Sequence, residues 1–330
     1  MNGLIKNNAR FDVCAIGNAI VDVLAQADDA FLAENGLEKG AMTLIDTDRA
    51  KDLYEKMASG VECSGGSAAN TAAALASLGG SAAFIGKVRD DQLGAIFRHD
   101  IQAVGVDFSS LLAQSGAPTA RCLIFVTPDA QRTMQTYLGA CVDLGPADIN
   151  AKTISESKVT YLEGYLWDPE QAKAAFLEAA AAAHSADRLV SLSLSDPFCV
   201  ERHRDSFLDL VENHVDVLFA NEEEIKHLYQ VSDFDEALQR VRGHCDVAAL
   251  TRSEKGSVIV AGDEVHVVDA APVARVVDTT GAGDAYAAGF LFGLTNGRDL
   301  RECGRLGGLA SAEVIGHYGA RAEVPLKDLI

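Results

Sequence analysis

The stretch Asp278-Thr279-Thr280-Gly281-Ala282-Gly283-Asp284-Ala285-Tyr286-Ala287-Ala288-Gly289-Phe290 joins a Gly-x-Gly turn to an acidic residue and an apolar helix pattern. Gly281 and Gly283 can turn successive backbone N–H groups inward. With the helix N-terminus behind them, they predict a nest for an anion. Asp284 follows in the first helical turn, where it can accept a proton from a hydroxyl group that attacks a phosphoryl group. The Gly-x-Gly-Asp spacing alone is also typical of a plain strand-to-helix turn, but the whole segment favours the anion site.

Outward from this stretch, short β-rich runs alternate with longer helix-like segments. Two predicted strands, Glu264–Val268 and residues 273–277, lead into the glycine turn. Further strands are predicted at residues 11–16, 159–162, 189–194, 215–219, 247–251 and 257–260, and helices at residues 67–78, 92–104, 170–184, 201–213, 222–229, 235–242, 284–294 and 300–316. Such alternation predicts an α/β fold with a mainly parallel sheet covered by helices on both faces.

Two regions break this alternation. Residues 18–27 and 40–45 alternate in polarity without a long helix between them. Residues 120–127 and 133–138 are strand-like runs joined by Pro128-Asp129-Ala130-Gln131, which predicts a hairpin turn. The four strands fit either a small sheet projecting from the main domain or edge strands of the main sheet, and their spacing does not distinguish the two.

Two polar motifs lie in the first quarter of the chain. Gly65-Gly66-Ser67-Ala68-Ala69-Asn70 lets a ligand approach the backbone, and Asn70 offers a donor and an acceptor to a hydroxyl-rich ligand. In isolation this motif is more typical of a turn with Ser67 as helix N-cap. In Gly17-Asn18-Ala19-Ile20-Val21-Asp22, an extended backbone places Asn18 and Asp22 on one face, where Asp22 suits neighbouring sugar hydroxyls. Alone, this motif is more typical of a polar loop.

Two further motifs follow predicted strands. Asn221-Glu222-Glu223-Glu224 predicts a capping box between Asn221 and Glu224. The same residues suit phosphates and a hydrated Mg²⁺, and both roles can hold at once. Thr251-Arg252-Ser253-Glu254-Lys255-Gly256 is a polar loop at a strand end, which is where open α/β sheets bind ligands.

The familiar phosphate-binding motifs are absent from the sequence. Tyr286 stands where a dinucleotide fingerprint has its third glycine, and Ser81 and Val88 replace required residues of a Walker loop around Gly86-Lys87. The eight histidines show no metal-ligand spacing. Any ATP chemistry would therefore use a different phosphate site.

The composition narrows the class of partner. The 330 residues are 48% hydrophobic and 23% charged, as in a globular protein with two domains or one large domain and an appendage. With 28 Lys and Arg against 48 Asp and Glu, the net charge of −20 argues against nucleic acid and membrane partners. Seven scattered cysteines predict reduced thiols. The polar start and the lack of a spanning-length apolar run predict a cytoplasmic protein.

Together and in this order, the motifs resemble those of the ribokinase-like carbohydrate and nucleoside kinases, the PfkB family. Residues 278–290 look like the carboxyl-terminal signature of the family and residues 65–70 like its amino-terminal one. The resemblance, which runs from Gly17 to about Arg321, implies a three-layer αβα sandwich with a mainly parallel central sheet and a small projecting β-sheet lid. Residues 1–17, 47–118 and 140–330 would form the large nucleotide-binding domain, and residues 18–46 and 119–139 the lid over the acceptor.

The resemblance also implies roles for individual residues. Asp284 would be the catalytic base, and the anion hole would be Gly281, Ala282 and Gly283. The acceptor would contact Asn18, Asp22, Gly65, Gly66, Ser67, Asn70 and Glu163. ATP would contact Asn221, Glu224, Thr251, Ser253, Gly256, Gly281, Gly283 and Gly308. Glu224 would reach Mg²⁺ through water, and a monovalent cation, expected to be K⁺, would lie at Asp278 and Thr280.

The acceptor is less clearly indicated than the chemistry. Residues 18–22, 65–67 and 192–198 look like the corresponding segments of adenosine kinases, which favours transfer of the γ-phosphoryl group of ATP to adenosine. Glu163 departs from that pattern and resembles the acidic residue that ribokinase uses near its sugar. A kinase for ribose, a ketohexose or 2-keto-3-deoxygluconate is therefore the alternative, and a nucleoside- or sugar-binding regulator is the non-enzymatic one. The oligomeric state is expected to be monomer or homodimer.

Overall fold

The computed structural model describes residues 8–129 and 131–330. Residues 1–7, assigned to the large domain, and Ala130, in the predicted hairpin turn, lie outside the described residues. The strands are β1 (Phe11–Ile16), β2 (Ile20–Gln26), β3 (Met42–Leu44), β4 (Val61–Gly65), β5 (Ala82–Ile85), β6 (Val106–Asp107), β7 (Ala120–Val126), β8 (Arg132–Tyr137), β9 (Ser157–Glu163), β10 (Leu189–Ser193), β11 (Val217–Asn221), β12 (Val247–Thr251), β13 (Ser257–Ala261) and β14 (Glu264–Val268).

Helices connect most of these strands. They are α1 (Asp29–Glu34), α2 (Thr47–Lys56), α3 (Ser67–Ser77), α4 (Gln92–Ala103), α5 (Ala151–Ser155), α6 (Glu170–Ser185), α7 (Pro197–Arg202), α8 (Arg204–Asn213), α9 (Glu222–Tyr229), α10 (Phe234–Val241), α11 (Ala282–Thr295) and α12 (Leu300–Val314). Within the residues that the structure describes, none of these helices has the length and hydropathy needed to cross a bilayer.

The large sheet has nine strands in the order β14-β13-β12-β11-β10-β9-β1-β5-β6. All neighbouring pairs from β12 to β6 are parallel, whereas β13 and β14 add an antiparallel edge. Side chains alternate across the sheet, so Val13 belongs to one hydrophobic core and Cys14 to the other. Helices α3, α4, α11 and α12 cover the first core, and α5 to α10 cover the second. The predicted three-layer αβα sandwich is confirmed.

The small sheet has five strands in the order β3-β8-β7-β2-β4. The four strands expected for it are present, and the β7–β8 hairpin closes with Thr127 N donating to Gln131 O at 3.0 Å. The structure adds β4, which pairs with β2 although the sequence interpretation left it in the large domain. The division into a large domain and a lid at residues 18–46 and 119–139 stays a prediction.

The structure corrects one predicted strand. Residues 273–277 belong to none of the strands of the described chain; instead, Val277 N donates to Ile315 O in the loop after α12 at 2.8 Å. Val276 is 56% exposed, so the β-branched residues of this run do not bury a sheet face. High strand propensity did not produce a strand here because tertiary pairing decides the outcome: in the described chain, Val277 bonds to the end of α12 and β14 remains the sheet edge.

Helices α11 and α12 pack with their backbones in contact. A Cβ atom at Gly289 would lie 2.5 Å from Leu306 O, and one at Gly307 would lie 2.8 Å from Tyr286 O. Real side chains do not fit at these distances, so glycine is required at this crossing. The close crossing fixes α11, whose first turn carries Asp284.

We expect Gly289→Ala to lower the free energy of unfolding by about 1–3 kcal/mol, because the added methyl group forces the two helices apart. The matched control is Gly308→Ala on α12, where the new Cβ would lie 3.8 Å from the nearest atom. There the helix preference for alanine should leave stability unchanged or raise it by up to about 1 kcal/mol. Urea denaturation measures both changes, and equal effects at the two sites would contradict the packing argument.

Candidate active site

The carboxyl ends of the parallel strands bring three of the predicted motifs, together with Glu163, to one edge of the large sheet. Glu163 ends β9, Asn221 ends β11, and Thr251, in register with Asn221, ends β12. Asn18 follows β1, and its Nδ2 donates to Glu163 Oε1 at 2.6 Å. Ligand sites of open α/β sheets form at this edge, so the motifs lie where the fold can use them together.

Asp284 is the point where the two glycine motifs meet. Ser67 Oγ donates to its Oδ1 at 2.6 Å, and Asn70 Nδ2 donates to its Oδ2 at 3.3 Å. These contacts join residues more than 200 positions apart in the sequence. Burial raises the pKa of Asp284 to about 6, although the two hydrogen bonds lower it. The carboxylate is therefore ionised near neutral pH and close to the range in which a base exchanges protons efficiently.

The turn before α11 has the conformation of an anion nest. Gly281 is the N-cap with φ 78°, and its missing side chain leaves room for Ala320, whose carbonyl oxygen would lie 2.6 Å from a Cβ there. Among the residues that the structure describes, no side chain forms a capping hydrogen bond at this helix end. In front of Gly283, a Cβ would meet no atom of the described residues within 4 Å. Gly283 thus borders open space at the positive end of a helix dipole, whereas Ala282 N donates to Thr279 O at 3.2 Å.

Asp22 and the end of β4 approach each other closely. A Cβ at Gly65 would lie 2.3 Å from Asp22 Oδ2, and one at Gly66, whose φ is 99°, would overlap Asn18 O. Burial raises the pKa of Asp22 to about 6, while the charges of Arg321 and Arg132 lower it. Both glycines are required for this pairing of strand ends, so the sequence motif has a packing role beside its predicted role in binding.

Asn18 is buried beside this pair. Its side chain is 4% exposed, and its Oδ1 is a buried acceptor for which the described residues provide no donor. Because a buried polar atom without a partner is costly, this oxygen is suited to accept a hydrogen bond from a ligand.

Glu163 supports the site from beneath. It is 1% exposed, and its Oε2 accepts from Ala68 N at 2.8 Å and from Asn18 N at 3.3 Å. A Cβ at Gly17 would lie 2.2 Å from the same oxygen. Burial raises the pKa of Glu163 to about 7; the bonds from Ala68 and Asn18 lower it, and the charge of Asp284 raises it. The structure thus uses both carboxylate oxygens to join the loop after β1 to the first turn of α3.

Asn221 and Glu224 form the predicted capping box. Asn221 Oδ1 accepts from Glu224 N at 2.8 Å, while Glu224 accepts from Asn221 N at 2.9 Å and from Asn221 Nδ2 at 2.6 Å. Burial raises the pKa of Glu224 to about 7. Each carboxylate oxygen keeps acceptor capacity after these bonds, so the pair can cap α9 and also receive hydrogen bonds from a metal-bound water.

The loop after β12 is a tight turn. Ser253 has φ 52° and Gly256 has φ 79°, and a Cβ at Gly256 would lie 2.0 Å from Val268 O. Arg252 leaves the loop to pair with Glu222 at 2.8 Å. Gly308 lies on α12 near Ala271. At the strand edge Ser253 is exposed and Thr251 is half-buried, whereas Arg252 pairs within the protein. Their role in binding a nucleotide stays a prediction.

Asp278 is fully hydrogen-bonded. Its Oδ1 accepts from Thr280 N at 3.0 Å and Thr280 Oγ1 at 2.6 Å, and its Oδ2 accepts from Gly319 N at 3.1 Å. Arg132 of the small sheet pairs with Oδ2 at 3.0 Å, both side chains being about one-tenth exposed (10% and 11%). Burial opposes ionisation, but these bonds and the charge of Arg132 hold the pKa of Asp278 below its usual value.

Three residues at the site carried no sequence signal. Arg132 follows the hairpin turn, Arg321 lies in the C-terminal segment, and Tyr165 follows β9. Tyr165 is 46% exposed. Partial burial raises the pKa of its phenol first, and four nearby carboxylates raise it further: Asp196, Asp284, Glu224 and Glu163. Only the tertiary structure brings these side chains to the cleft, since no local motif contains them.

A sequence model described as pfkB family carbohydrate kinase matches residues 39–327. The crystal structure of adenosine kinase from Sinorhizobium meliloti is similar with a TM-score of 0.88 and 56% identity, over 97% of this chain and 98% of that chain. A probable sugar kinase from Rhizobium etli CFN 42 has a TM-score of 0.88 and 52% identity over the same shares. Adenosine kinase 2 of Arabidopsis thaliana is 26% identical over 92% of this chain and 93% of the relative.

We expect Glu163→Gln to flatten the pH dependence of stability. The pKa of Glu163 in the folded protein is about 7, above its value in the unfolded chain. The protonated Glu163 therefore makes its whole contribution to the free energy of unfolding below the pKa of the unfolded chain. That contribution is lost as the pH rises through about 7. The free energy of unfolding, measured with urea at several values from about pH 5 to about pH 8, should fall less steeply in the variant.

The matched control is Glu55→Gln on the exposed face of α2, which should follow the wild-type slope. Parallel slopes for Glu163→Gln and the wild type would contradict the raised pKa.

Proposed function

Because the chain belongs to the pfkB family of carbohydrate kinases, we propose that it transfers the γ-phosphoryl group of ATP to the 5′-hydroxyl of adenosine. Family membership implies the use of ATP and Mg²⁺. The observation that carries the proposal is the position of Asp284, which the first turn of α11 places beside the open nest at Gly283 and the hydrogen bonds of Ser67 and Asn70 hold toward α3.

Asp284 acts as the base in this proposal. Its carboxylate takes the proton of the acceptor hydroxyl while the hydroxyl oxygen forms a bond to the γ-phosphorus. The bond between that phosphorus and the bridging oxygen breaks, and ADP leaves. Because burial brings the pKa of Asp284 to about 6, the group is ionised before the reaction and can still hold the proton afterwards.

The backbone of the turn stabilises the transferred group. In this proposal the N–H groups of Gly281 and Gly283 face the negative charge of the phosphoryl oxygens, and that of Ala282 joins them by leaving Thr279 O. The α11 dipole adds to their field. When bound, Mg²⁺ neutralises charge on the ATP phosphates. Glu224 and Asn221 would hold its water shell, and Thr251, Ser253, Gly256 and Gly308 would border the nucleotide. The spare acceptor capacity of the Glu224 carboxylate fits this hydrated ion.

The acceptor lies between α3 and the small sheet in this proposal. Asp22 receives the hydroxyls of the ribose, and Asn18 Oδ1 accepts from a further hydroxyl, which gives its orphaned oxygen a partner. Gly65, Gly66, Ser67 and Asn70 leave the space and complete the polar wall. The small sheet acts as a lid that limits access of water to the phosphoryl group.

The position of Glu163 supports a nucleoside over a free sugar. This residue was the feature that pointed to a ribokinase-like acceptor, but its oxygens hold Asn18 and Ala68 and the side chain is 1% exposed. We propose that it supports the acceptor residues instead of touching the acceptor. The 56% identity to the Sinorhizobium meliloti adenosine kinase favours the same acceptor, while the 52% identity to the probable sugar kinase keeps a sugar as the second candidate.

The remaining parts of the proposal are a cytoplasmic location and a monomeric or homodimeric state. The seven cysteines are all unpaired, as expected for a protein that works in a reducing compartment.

The test of the function is turnover of ATP with adenosine, ribose, fructose and 2-keto-3-deoxygluconate. We expect the highest kcat/KM with adenosine and a loss of about 10²–10⁴-fold in kcat for Asp284→Asn, because the amide cannot accept the proton. The kcat of the wild type should fall as the pH drops through about 6, where Asp284 becomes protonated.

Two outcomes would contradict this function. If a free sugar had a higher kcat/KM than adenosine, the acceptor would be that sugar and not adenosine. Binding of adenosine without ADP formation would identify a regulator. A folded Asp284→Asn that keeps most of its kcat would overturn the base assignment. Arg305→Met, at an exposed ion pair with Glu302 on the outer face of α12, serves as the control variant.

We also propose a monovalent cation site at Asp278 and Thr280, with one condition on Arg132. Oδ2 of Asp278 faces the guanidinium of Arg132, so K⁺ fits at this carboxylate only after Arg132 withdraws. Because Arg132 belongs to the lid sheet, this lid arginine and the cation compete for the negative charge of Asp278.

Removing the competitor tests the cation site. We expect Arg132→Met to lower the concentration of K⁺ that gives half-maximal activation, measured against tetramethylammonium at constant ionic strength. Arg121→Met is the matched control, because this lid arginine lies over the rings of Tyr54 and Tyr137 instead. An unchanged half-activating concentration in Arg132→Met would remove Asp278 as the cation site.

A further inference from the structure

Arg321 binds three elements of the site at once. Its Nε donates to Asn70 Oδ1 at 3.3 Å, its Nη1 to Asp100 Oδ2 at 3.1 Å, and its Nη2 to Ser64 Oγ at 2.8 Å. These partners lie on α3, α4 and β4, while Arg321 itself comes from the segment after α12. The guanidinium therefore ties the C-terminal segment to strand β4 of the small sheet and to α3, the helix that faces Asp284.

The contact with Asn70 fixes the orientation of a side-chain amide. A guanidinium has donors and no acceptor, so the amide atom that faces Arg321 must be the oxygen. The amide nitrogen is then directed to Asp284 Oδ2, where it donates at 3.3 Å. An ionised carboxylate accepts only, so both neighbours of Asn70 require the same orientation. Without Arg321, the amide could turn and present its oxygen to Asp284, which would repel the carboxylate.

The two terminal nitrogens of the Arg321 guanidinium are held independently of Asn70, by Asp100 and Ser64. Asp100 Oδ2 accepts from Ser64 N at 2.7 Å as well as from Arg321, and the side chains of Arg321 and Asp100 are 23% and 31% exposed. This arrangement holds the guanidinium at a fixed place beside the last residues of β4. Three donors of one rigid plane point at three different acceptors, a geometry that the single ammonium group of lysine cannot reproduce.

Arg321 also acts on Asp22 through its charge. Burial raises the pKa of Asp22, and the charges of Arg321 and Arg132 lower it. The charge of Asp22 in turn raises the pKa of the thiols of Cys63 and Cys122. The groups coupled to Asp284 are Glu163, Tyr161 and Tyr165. Loss of the Arg321 charge therefore raises the pKa of Asp22, and loss of the Asn70 bond raises the pKa of Asp284.

We propose that Arg321 is a positioning residue of the kinase reaction, which orients the Asn70 amide toward Asp284 and supplies positive charge next to Asp22. The inference rests on the proposed function, because it gives Asp284 and Asp22 their roles in catalysis and acceptor binding. Arg321 touches neither ATP nor the acceptor in this account; it acts through Asn70 and through its field.

The experiment compares Arg321→Met, Arg321→Lys and the control Arg305→Met, each with the acceptor that the wild type turns over fastest. We expect Arg321→Met to lose about 10–100-fold in kcat, since a catalytic group displaced by about 1 Å costs that much. Its KM for the acceptor should rise, and the acid limb of its kcat profile should move to higher pH. Arg321→Lys should recover the KM, because the charge beside Asp22 returns, but not the kcat.

A merely structural role predicts a different pattern. It would lower the folded fraction, and thus the apparent kcat, while the KM and the acid limb stay at the wild-type values; that pattern would overturn the proposal. If Arg321→Met does not fold, Arg321→Lys decides: a wild-type kcat overturns the proposal, and a reduced kcat with a wild-type KM and Tm supports it.

Failure of the inference is distinguishable from failure of the function. Wild-type kinetics in both Arg321 variants, with Asp284→Asn inactive, would remove Arg321 and keep the kinase. An active Asp284→Asn would remove the base itself.

Discussion

The hydrogen bonds from Ser67 and Asn70 to Asp284 join the first turns of two helices from opposite ends of the chain. Both helices direct their N-termini, the positive ends of their dipoles, at this region, so an anion and a carboxylate can lie there together. The small residues of α3, of which Ala68, Ala69 and Ala72 are buried, permit its close packing in the same core as α11. Everything else at the site is arranged around this contact between helices.

A set of buried carboxylates surrounds that contact. Burial raises the pKa values of Asp22 and Asp284 to about 6 and those of Glu163 and Glu224 to about 7. Each has hydrogen-bond donors or cations nearby, yet burial outweighs them. Such groups are costly to bury without function, and perturbed carboxyls of this kind are typical of functional sites, which supports the candidate site around Asp284. Because ionised carboxylates are costly to bury, the site favours ligands that bring positive charge or hydrogen-bond donors to them.

The acidic surface and the proposed use of ATP are compatible for a local reason. The net charge is −20, but the phosphate site depends on backbone N–H groups and a helix dipole, whose fields act within a few ångströms. Two arginines supply positive charge where the acidic residues are concentrated. Arg132 reaches Asp278 from the small sheet, and Arg321 reaches Asp100 from the C-terminal segment. Both join separate parts of the molecule, so the position of the small sheet affects the electrostatics of the site.

The sequence by itself determined the layered α/β fold, the capping box of Asn221 and Glu224 and the glycine turn at Gly281, because each depends on periodicity, turn chemistry or contacts a few residues apart. It predicted four strands of the small sheet but not their separation from the main sheet, which long-range strand pairing decides. It failed for residues 273–277, which bond to the end of α12 instead of the edge strand β14, and for β4, whose pairing with β2 joins segments distant in the sequence. Only the tertiary structure decided that Glu163 holds Asn18 and Ala68, that Arg132 pairs with Asp278, and that Arg321 orients Asn70. Those contacts join residues about 95 to 250 positions apart, and no local pattern records which distant side chain a buried charge will meet.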